Sequence, residues 1–223
     1  MLLYHGSEYV IKKPEFGRGK PYNDYGRGFY CTEDLELTKE WAVDAERDGY
    51  VNCYDIDISG LRVVDLDGKG FCILHWIAVL LANRHFELET PLSREAYRYL
   101  QEHFRVEFNN TDIIMGYRAD DSYFAYAQDF VNGLISISQL SRAMHLGLLS
   151  KQVMIRSRKA FNKLKYVSSE AVFAKEWYDR KMARDMSARR EYSRINKEDY
   201  VPGGLYIVHI IDGEVKADDP RLQ

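Results

Sequence analysis

Two short segments carry residue types suited to holding and acting on a nucleotide. The first is Tyr4-His5-Gly6-Ser7, where a histidine and a glycine end an apolar run. The second is Gly26-Arg27-Gly28-Phe29-Tyr30. Histidine can donate or accept a hydrogen bond near neutral pH. Glycine lets the backbone approach a ligand that a side chain would hold away. A forked arginine cation suits phosphate oxygens, and tyrosine offers a flat face with one polar tip. The familiar phosphate loops are missing: Gly17-x-Gly19 and Gly26-x-Gly28 are too short for a Gly-x-Gly-x-x-Gly turn, and no loop ends in Gly-Lys-Ser/Thr. Rossmann and NTPase readings therefore lack support.

A His-Gly pair closing a first strand, followed by a loop and Gly-Arg-Gly-Phe-Tyr-Cys-Thr, resembles the mono-ADP-ribosyltransferase superfamily. Within it, the chain resembles a bacterial family known only as a domain of unknown function. The resemblance extends over Asp24 to Thr32, Trp41-Ala42, Val51 to Tyr54, Asp112 to Gly116 with Ala119-Asp120-Asp121, and Gln152 to Arg156 with Ala160 and Leu164. It ends at Asp218 to Leu222. It implies an α+β fold, an ADP-ribosyltransferase-like split β-sheet core with a helical insertion and a long C-terminal helix. It also implies NAD as co-substrate, bound by His5, Gly6, Ser7, Arg27, Gly28, Phe29 and Tyr30.

The implied roles fit the chemistry of the side chains. His5 would meet a hydroxyl of the ribose next to nicotinamide. Gly6 would let the backbone reach the carboxamide, Tyr30 would stack on the nicotinamide ring, and Arg27 would meet the pyrophosphate. Trp41 reads as core beneath the site. The reaction breaks the bond between ribose and nicotinamide through an oxocarbenium-like transition state, which nearby negative charge and a positioned nucleophile favour. The superfamily usually holds the ribose 2′-hydroxyl with a Glu at the start of a later strand. Here Ser150-Lys151-Gln152-Val153 puts Gln152 at that position. Gln can hydrogen-bond the hydroxyl but supplies no charge, so Asp120 or Asp121 would bring the carboxylate if their loop folds over the ribose.

Each residue also has a plainer explanation. His5 could be a satisfied structural histidine, Tyr30 a core residue, Arg27 a turn residue, and Gln152 an edge-strand or capping amide. Asp120-Asp121 could cap a helix from Ser122. Arg180, Arg184, Arg189, Arg190 and Arg194, mixed with Asp179, Asp185 and Glu191, form either a solvated face or an acceptor-binding surface. His75, His85, His103, His145 and His209 show no metal spacing, so no metal is assigned.

The elements that must position these residues are readable in outline. Strands are expected at Leu2–Ser7, Gly28–Thr32, Val51–Ile58, Leu61–Leu66, Thr111–Gly116, Lys151–Ser157 and Leu164–Val167. Helices are expected from Thr32 through Trp41, Ala42 and Ala45, over Phe71–Arg84, and over Ser93–Phe104 with Ser93 as cap. Two more, broken near Asn132-Gly133, are expected within Asp121–Leu146, and a long charged one over Ser168–Ile195. Gly203-Gly204 introduces a last apolar run, Leu205–Ile211. No linker or repeat interrupts the chain, which reads as one domain, 1–223, with a helical insertion at about 71–150.

With 223 residues, 46% apolar and 29% charged, the chain can bury an ordinary core. A net charge of −3 argues against broad nucleic-acid binding. Cys31, Cys53 and Cys72 match no zinc pattern, and the N-terminus lacks an export signal. No apolar run is long enough to span a membrane. A cytoplasmic protein is expected, and export by a specialised secretion system leaves no such mark. The activity expected is ADP-ribosyl transfer from NAD to a protein, nucleic-acid or small-molecule acceptor, as a toxin, phage-defence factor or regulatory modifier. An antitoxin or other partner protein is compatible with that role. The alternatives are an NAD glycohydrolase, a non-catalytic NAD- or nucleotide-binding module, and a plain interaction domain.

Overall fold

The computed structural model describes residues 1–119, 121–146, 151–198, 200 and 202–222, with side chains for all of these except Asp121 and Ser122. Its strands are β1 (Leu2–Ser7), β2 (Phe29–Thr32), β3 (Gly49–Ile56), β4 (Val63–Asp65), β5 (Ile113–Gly116), β6 (Gln152–Ile155) and β7 (Leu164–Val172). They form one open seven-stranded sheet in the order β4-β5-β6-β2-β1-β3-β7. Every neighbouring pair is antiparallel except β4 with β5. The helices among the described residues are α1 (Leu35–Ala42), α2 (Ile73–Asn83), α3 (Pro91–His103), α4 (Asp121–Val131), α5 (Ile137–Met144), α6 (Arg158–Phe161), α7 (Ala174–Asn196) and α8 (Ile207–Asp212). The result is consistent with the expected α+β class.

One join in the sheet differs from the rest. β1 pairs with β3 along its whole length, from Leu2 opposite Asp55 to Ser7 opposite Tyr50. β2 likewise pairs with β6, from Phe29 opposite Ile155 to Thr32 opposite Gln152. Between β1 and β2, however, the register is a single position, Tyr4 opposite Thr32. Had the antiparallel pairing continued, Gly6 would lie opposite Tyr30. Instead the strands part, and the sheet has a seam between its two halves.

The largest core lies where α2, α3, α4, α5 and α8 pack over β5 and β6, with Trp76, Phe104, Phe130, Leu140 and Ile207 fully buried. α2 is buried at every position from Leu74 to Leu81, as suits a helix apolar all round. Side-chain alternation on β6 sends Met154 into this core and Val153 and Ile155 into a smaller one with Leu3, Cys31 and Ala160. A third cluster joins α1 and α7 to the sheet through Val43, Val51 and Trp177.

Several boundaries differ from expectation, each for a local reason. The helix expected from Ser168 starts at Ala174, because Leu164–Val172 is one long strand paired with β3 from end to end. The helix expected from Thr32 starts at Leu35: Thr32 belongs to β2, and Asp34 is the cap, accepting from Leu37 N at 3.0 Å. That helix ends at Ala42, so Ala45 is not on its face. Thr90 rather than Ser93 caps α3, with Pro91 opening the helix and Ser93 bonding back in a capping box. β5 falls inside the interval expected as a helical insertion and is an inner strand of the sheet.

Candidate functional site

At the seam opens a cleft of about 940 Å³, near the upper end of ligand-pocket sizes. His5 comes to it from β1, Phe29 and Tyr30 from β2, and Gln152 from β6. Its outer wall is the irregular stretch between β1 and β2. Asn52 pins that wall by accepting from Ile11 N at 2.8 Å, and Tyr54 OH donates to Ile11 O.

His5 spans the gap left by the parted strands. Its Nδ1 lies 2.7 Å from Tyr30 O. A carbonyl only accepts, so Nδ1 carries the hydrogen, and Nε2 of the neutral ring is an acceptor. Burial holds the imidazole below its ordinary pKa and so keeps it neutral, outweighing the opposing effect of the bond to Tyr30. The ring packs against Phe29 at 4.4 Å between centroids.

The Tyr30 hydroxyl is occupied. It accepts from Tyr25 N at 3.0 Å and donates to Gly26 O at 2.6 Å. What the residue offers the cleft is its ring. The same bonds fix the turn at Gly26, whose φ of 80° favours glycine.

Gln152 is buried, and both its amide hydrogens are used: Nε2 donates to Asp24 Oδ2 at 2.8 Å and to Tyr117 O at 2.9 Å. Flipping the amide would set its oxygen against two acceptors, so Oε1 is the atom left for a ligand. Asp24 is buried too, and lines the cleft. It accepts from Ala119 N at 2.9 Å and pairs with Arg84 at 2.8 Å. Burial raises its pKa, against the lowering effects of Ala119, Gln152, Arg84 and Arg118.

Trp41, expected as core, lines the cleft. Its Nε1 is buried without a hydrogen-bond partner among the described residues, and the Arg118 guanidinium lies 3.8 Å from its ring centroid. The cleft wall is strongly basic: Lys12, Lys13, Arg18, Lys20, Arg84 and Arg118 line it, against the carboxylates of Glu15 and Asp24.

The other expected residues are distributed between the cleft and its surroundings. Arg27 is exposed, donates to Gly17 O at 3.1 Å, and lines a separate smaller cavity, so its guanidinium is not at this cleft. Ser7 binds Tyr9 O and Asn52 at the base of the loop rather than lining the cleft. Gly6 does line it, but a Cβ there would meet Thr38 O at 2.7 Å and Ala42 N at 2.8 Å. The glycine is required for α1 to lie against β1. Gly28 lines the cleft as well, where a Cβ would collide with Met154. Asp120 lies outside the described residues, and Asp121 opens α4 with its side chain outside them. The buried carboxylate beside Gln152 is Asp24, to which the sequence reading attached no role. Its partners come from positions 84, 119 and 152, a convergence that no spacing in the sequence announces.

A family model matches residues 1–166, about three quarters of the chain. The chain belongs to that family. Its description is "protein of unknown function (DUF3990)". The match takes in β1 to β6 and every residue lining the cleft, while α7 and α8 lie beyond it. The DUF3990 region is therefore the part that builds the seam. No curated protein and no solved structure matches the chain.

Proposed function

We propose that this protein is an NAD-dependent ADP-ribosyltransferase whose co-substrate lies in the seam cleft. The observation that carries the reading is the meeting of His5, Tyr30 and Gln152, from three different strands, on one cleft where the sheet parts. In this reading His5 Nε2 accepts from a hydroxyl of the nicotinamide ribose, and the Tyr30 ring faces the nicotinamide. Gln152 Oε1 accepts from the ribose 2′-hydroxyl, and the basic wall, in place of Arg27, meets the pyrophosphate. The C1′–N bond breaks with its electron pair passing to nicotinamide, which leaves neutral. An acceptor lone pair then bonds C1′, and the acceptor's proton passes to water. A finer likeness to the superfamily fold is part of the same proposal, supported by the sheet's division between β1 and β2.

A second reading, an NAD-binding module without turnover, draws on the neutral amide at Gln152. Incubation with labelled NAD, with and without cell lysate, distinguishes the two. Nicotinamide release with label passing to a macromolecule, abolished in His5→Ala and Tyr30→Ala, is the expected outcome. Release without transfer means hydrolysis, and binding without release favours the module. Neither binding nor release overturns both.

A further inference from the structure

The cleft has a carboxylate, but one residue removed from where a ribose would be held. Asp24 is only 5% exposed and Gln152 4%, so the pair sits in a low-dielectric floor where a charge acts strongly on its neighbours. Three donors fix the Asp24 carboxylate: Arg84 Nη1 on Oδ1, and Ala119 N and Gln152 Nε2 on Oδ2. The Gln152 amide is held just as firmly, since its second hydrogen goes to Tyr117 O. That carbonyl also accepts from Trp76 Nε1 at 3.1 Å and from Tyr25 OH, so it is a fixed part of the floor. An amide whose two N–H groups donate to a carboxylate and a carbonyl is polarised toward its oxygen, because hydrogen bonds in a chain strengthen one another.

We propose that Asp24 is the carboxylate of this site and that it acts on the ribose through the Gln152 amide, as a positioning residue whose charge orients and polarises Oε1. This rests on the reading of the cleft as an NAD site. Neither residue gains or loses a proton. As the C1′–N bond breaks and its electron pair goes to nicotinamide, positive charge grows on the ribose ring. The polarised Oε1, accepting from the 2′-hydroxyl, raises electron density next to that charge. A Glu at position 152 would do this directly; here the charge stands one amide further back, shielded from solvent and held by Arg84.

The test is nicotinamide release by purified full-length protein, measured as kcat and KM for NAD. Asp24→Asn keeps the shape and removes the charge: the Asn carbonyl takes the place of Oδ2 and still accepts from Ala119 N and Gln152 Nε2, its NH2 turns to Arg84, and Oε1 keeps its orientation without a carboxylate behind the amide. We expect kcat to fall about 10²-fold with KM changed by less than about threefold, the pattern of an interaction made in the transition state. The double variant Asp24→Asn/Gln152→Glu returns the charge to the position next to the ribose and recovers kcat to within about tenfold of wild type. A merely bracing Asp24 would instead lower melting temperature and raise KM together, without recovery of kcat by Glu at 152. Should Asp24→Asn fail to fold, Gln152→Met leaves Asp24 with Ala119 and Arg84 and removes both the link and the Oε1 it acts through. It must show the same loss of kcat. Wild-type release that Asp24→Asn or Gln152→Met retains overturns this proposal alone. No release by wild type overturns the NAD reading of the cleft, and this proposal with it.

Discussion

His5 Nδ1 and the carbonyl of Tyr30 meet at 2.7 Å across the gap where β1 and β2 cease to pair. The side chain takes a backbone acceptor that a continued ladder would have used, so separating the strands leaves no orphaned carbonyl at this position. The same bond decides which ring nitrogen faces outward. One contact therefore closes the floor of the seam and prepares an acceptor in the cleft.

A pH dependence of stability follows. Burial lowers the folded-state pKa of His5, and that of His75, below the ordinary 6.5. Between each folded value and 6.5 the unfolded chain binds more protons than the folded one, so stability rises with pH across that window and is lost as pH falls through it. Asp24, raised by burial, works in the opposite sense from 3.8 upward. Comparing wild type with His5→Gln removes its contribution. Urea unfolding at about pH 7.5 and pH 5.5 should show a larger loss in wild type than in the variant. Equal losses in both would contradict the assignment of a neutral, buried His5.

Gly6→Ala tests why that position is glycine. The added Cβ would press on backbone atoms of Thr38 and Ala42, which cannot rotate away. The helix must shift, at a cost of about 1–3 kcal/mol typical of overpacking. Chemical denaturation should show this loss even with no nucleotide present. Unchanged stability together with weakened NAD binding would restore the ligand-approach explanation.

Arg84 is the charge partner of Asp24, at 2.8 Å, with its side chain 24% exposed. Replacing it with Met leaves a buried carboxylate short of a counter-ion. Loss of one partner from a fully buried pair costs roughly 3–5 kcal/mol, and the partial exposure of Arg84 brings the expectation to about 2 kcal/mol. In the Asp24→Asn background the same substitution should cost clearly less, since no charge is stranded. Additive losses in the double-mutant cycle would show that the pair contributes no coupling.

The extent to which these features can be read from sequence depends on where their partners lie. β1 is legible because its apolar run ends at His5-Gly6. α2 is legible because Leu74 to Leu81 is apolar at every position but His75. β7 is legible only over Leu164–Val167: it is an edge strand, so Ser168, Ser169 and Glu170 interrupt the alternation and resemble a helix start. His5, Tyr30 and Gln152 could be proposed because the segments around them resemble a known superfamily. Asp24 could not, since its role exists only once α2, the stretch after β5 and the start of β6 have folded around it. Arg27 lies between two glycines, where its side chain reaches Gly17 O instead of the cleft, a placement that the sequence does not announce.

Trp41 has a buried indole N–H with no partner among the described residues. Leaving such a donor unmade costs free energy that a bound acceptor could recover. Trp41→Phe keeps the ring and removes the donor. It should leave the melting temperature unchanged or higher and weaken NAD binding about fivefold, one ordinary hydrogen bond. Calorimetric titration showing wild-type affinity in Trp41→Phe would mean that the N–H does not meet the ligand.

The basic wall and Arg27 make opposite predictions about the pyrophosphate. Lys12 and Lys13 line the cleft, whereas Arg27 lines the smaller cavity behind the Gly26 turn. Exposed cations act through a screened field, so each is worth a modest amount that salt reduces further. Lys12→Ala/Lys13→Ala should weaken NAD binding by about tenfold at low ionic strength, and by less at high salt. Arg27→Ala should bind as wild type does under both conditions. Reversal of that ranking, with Arg27→Ala impaired and the lysine variant unaffected, would move the phosphates away from the cleft wall and reinstate the arginine between its two glycines as their partner.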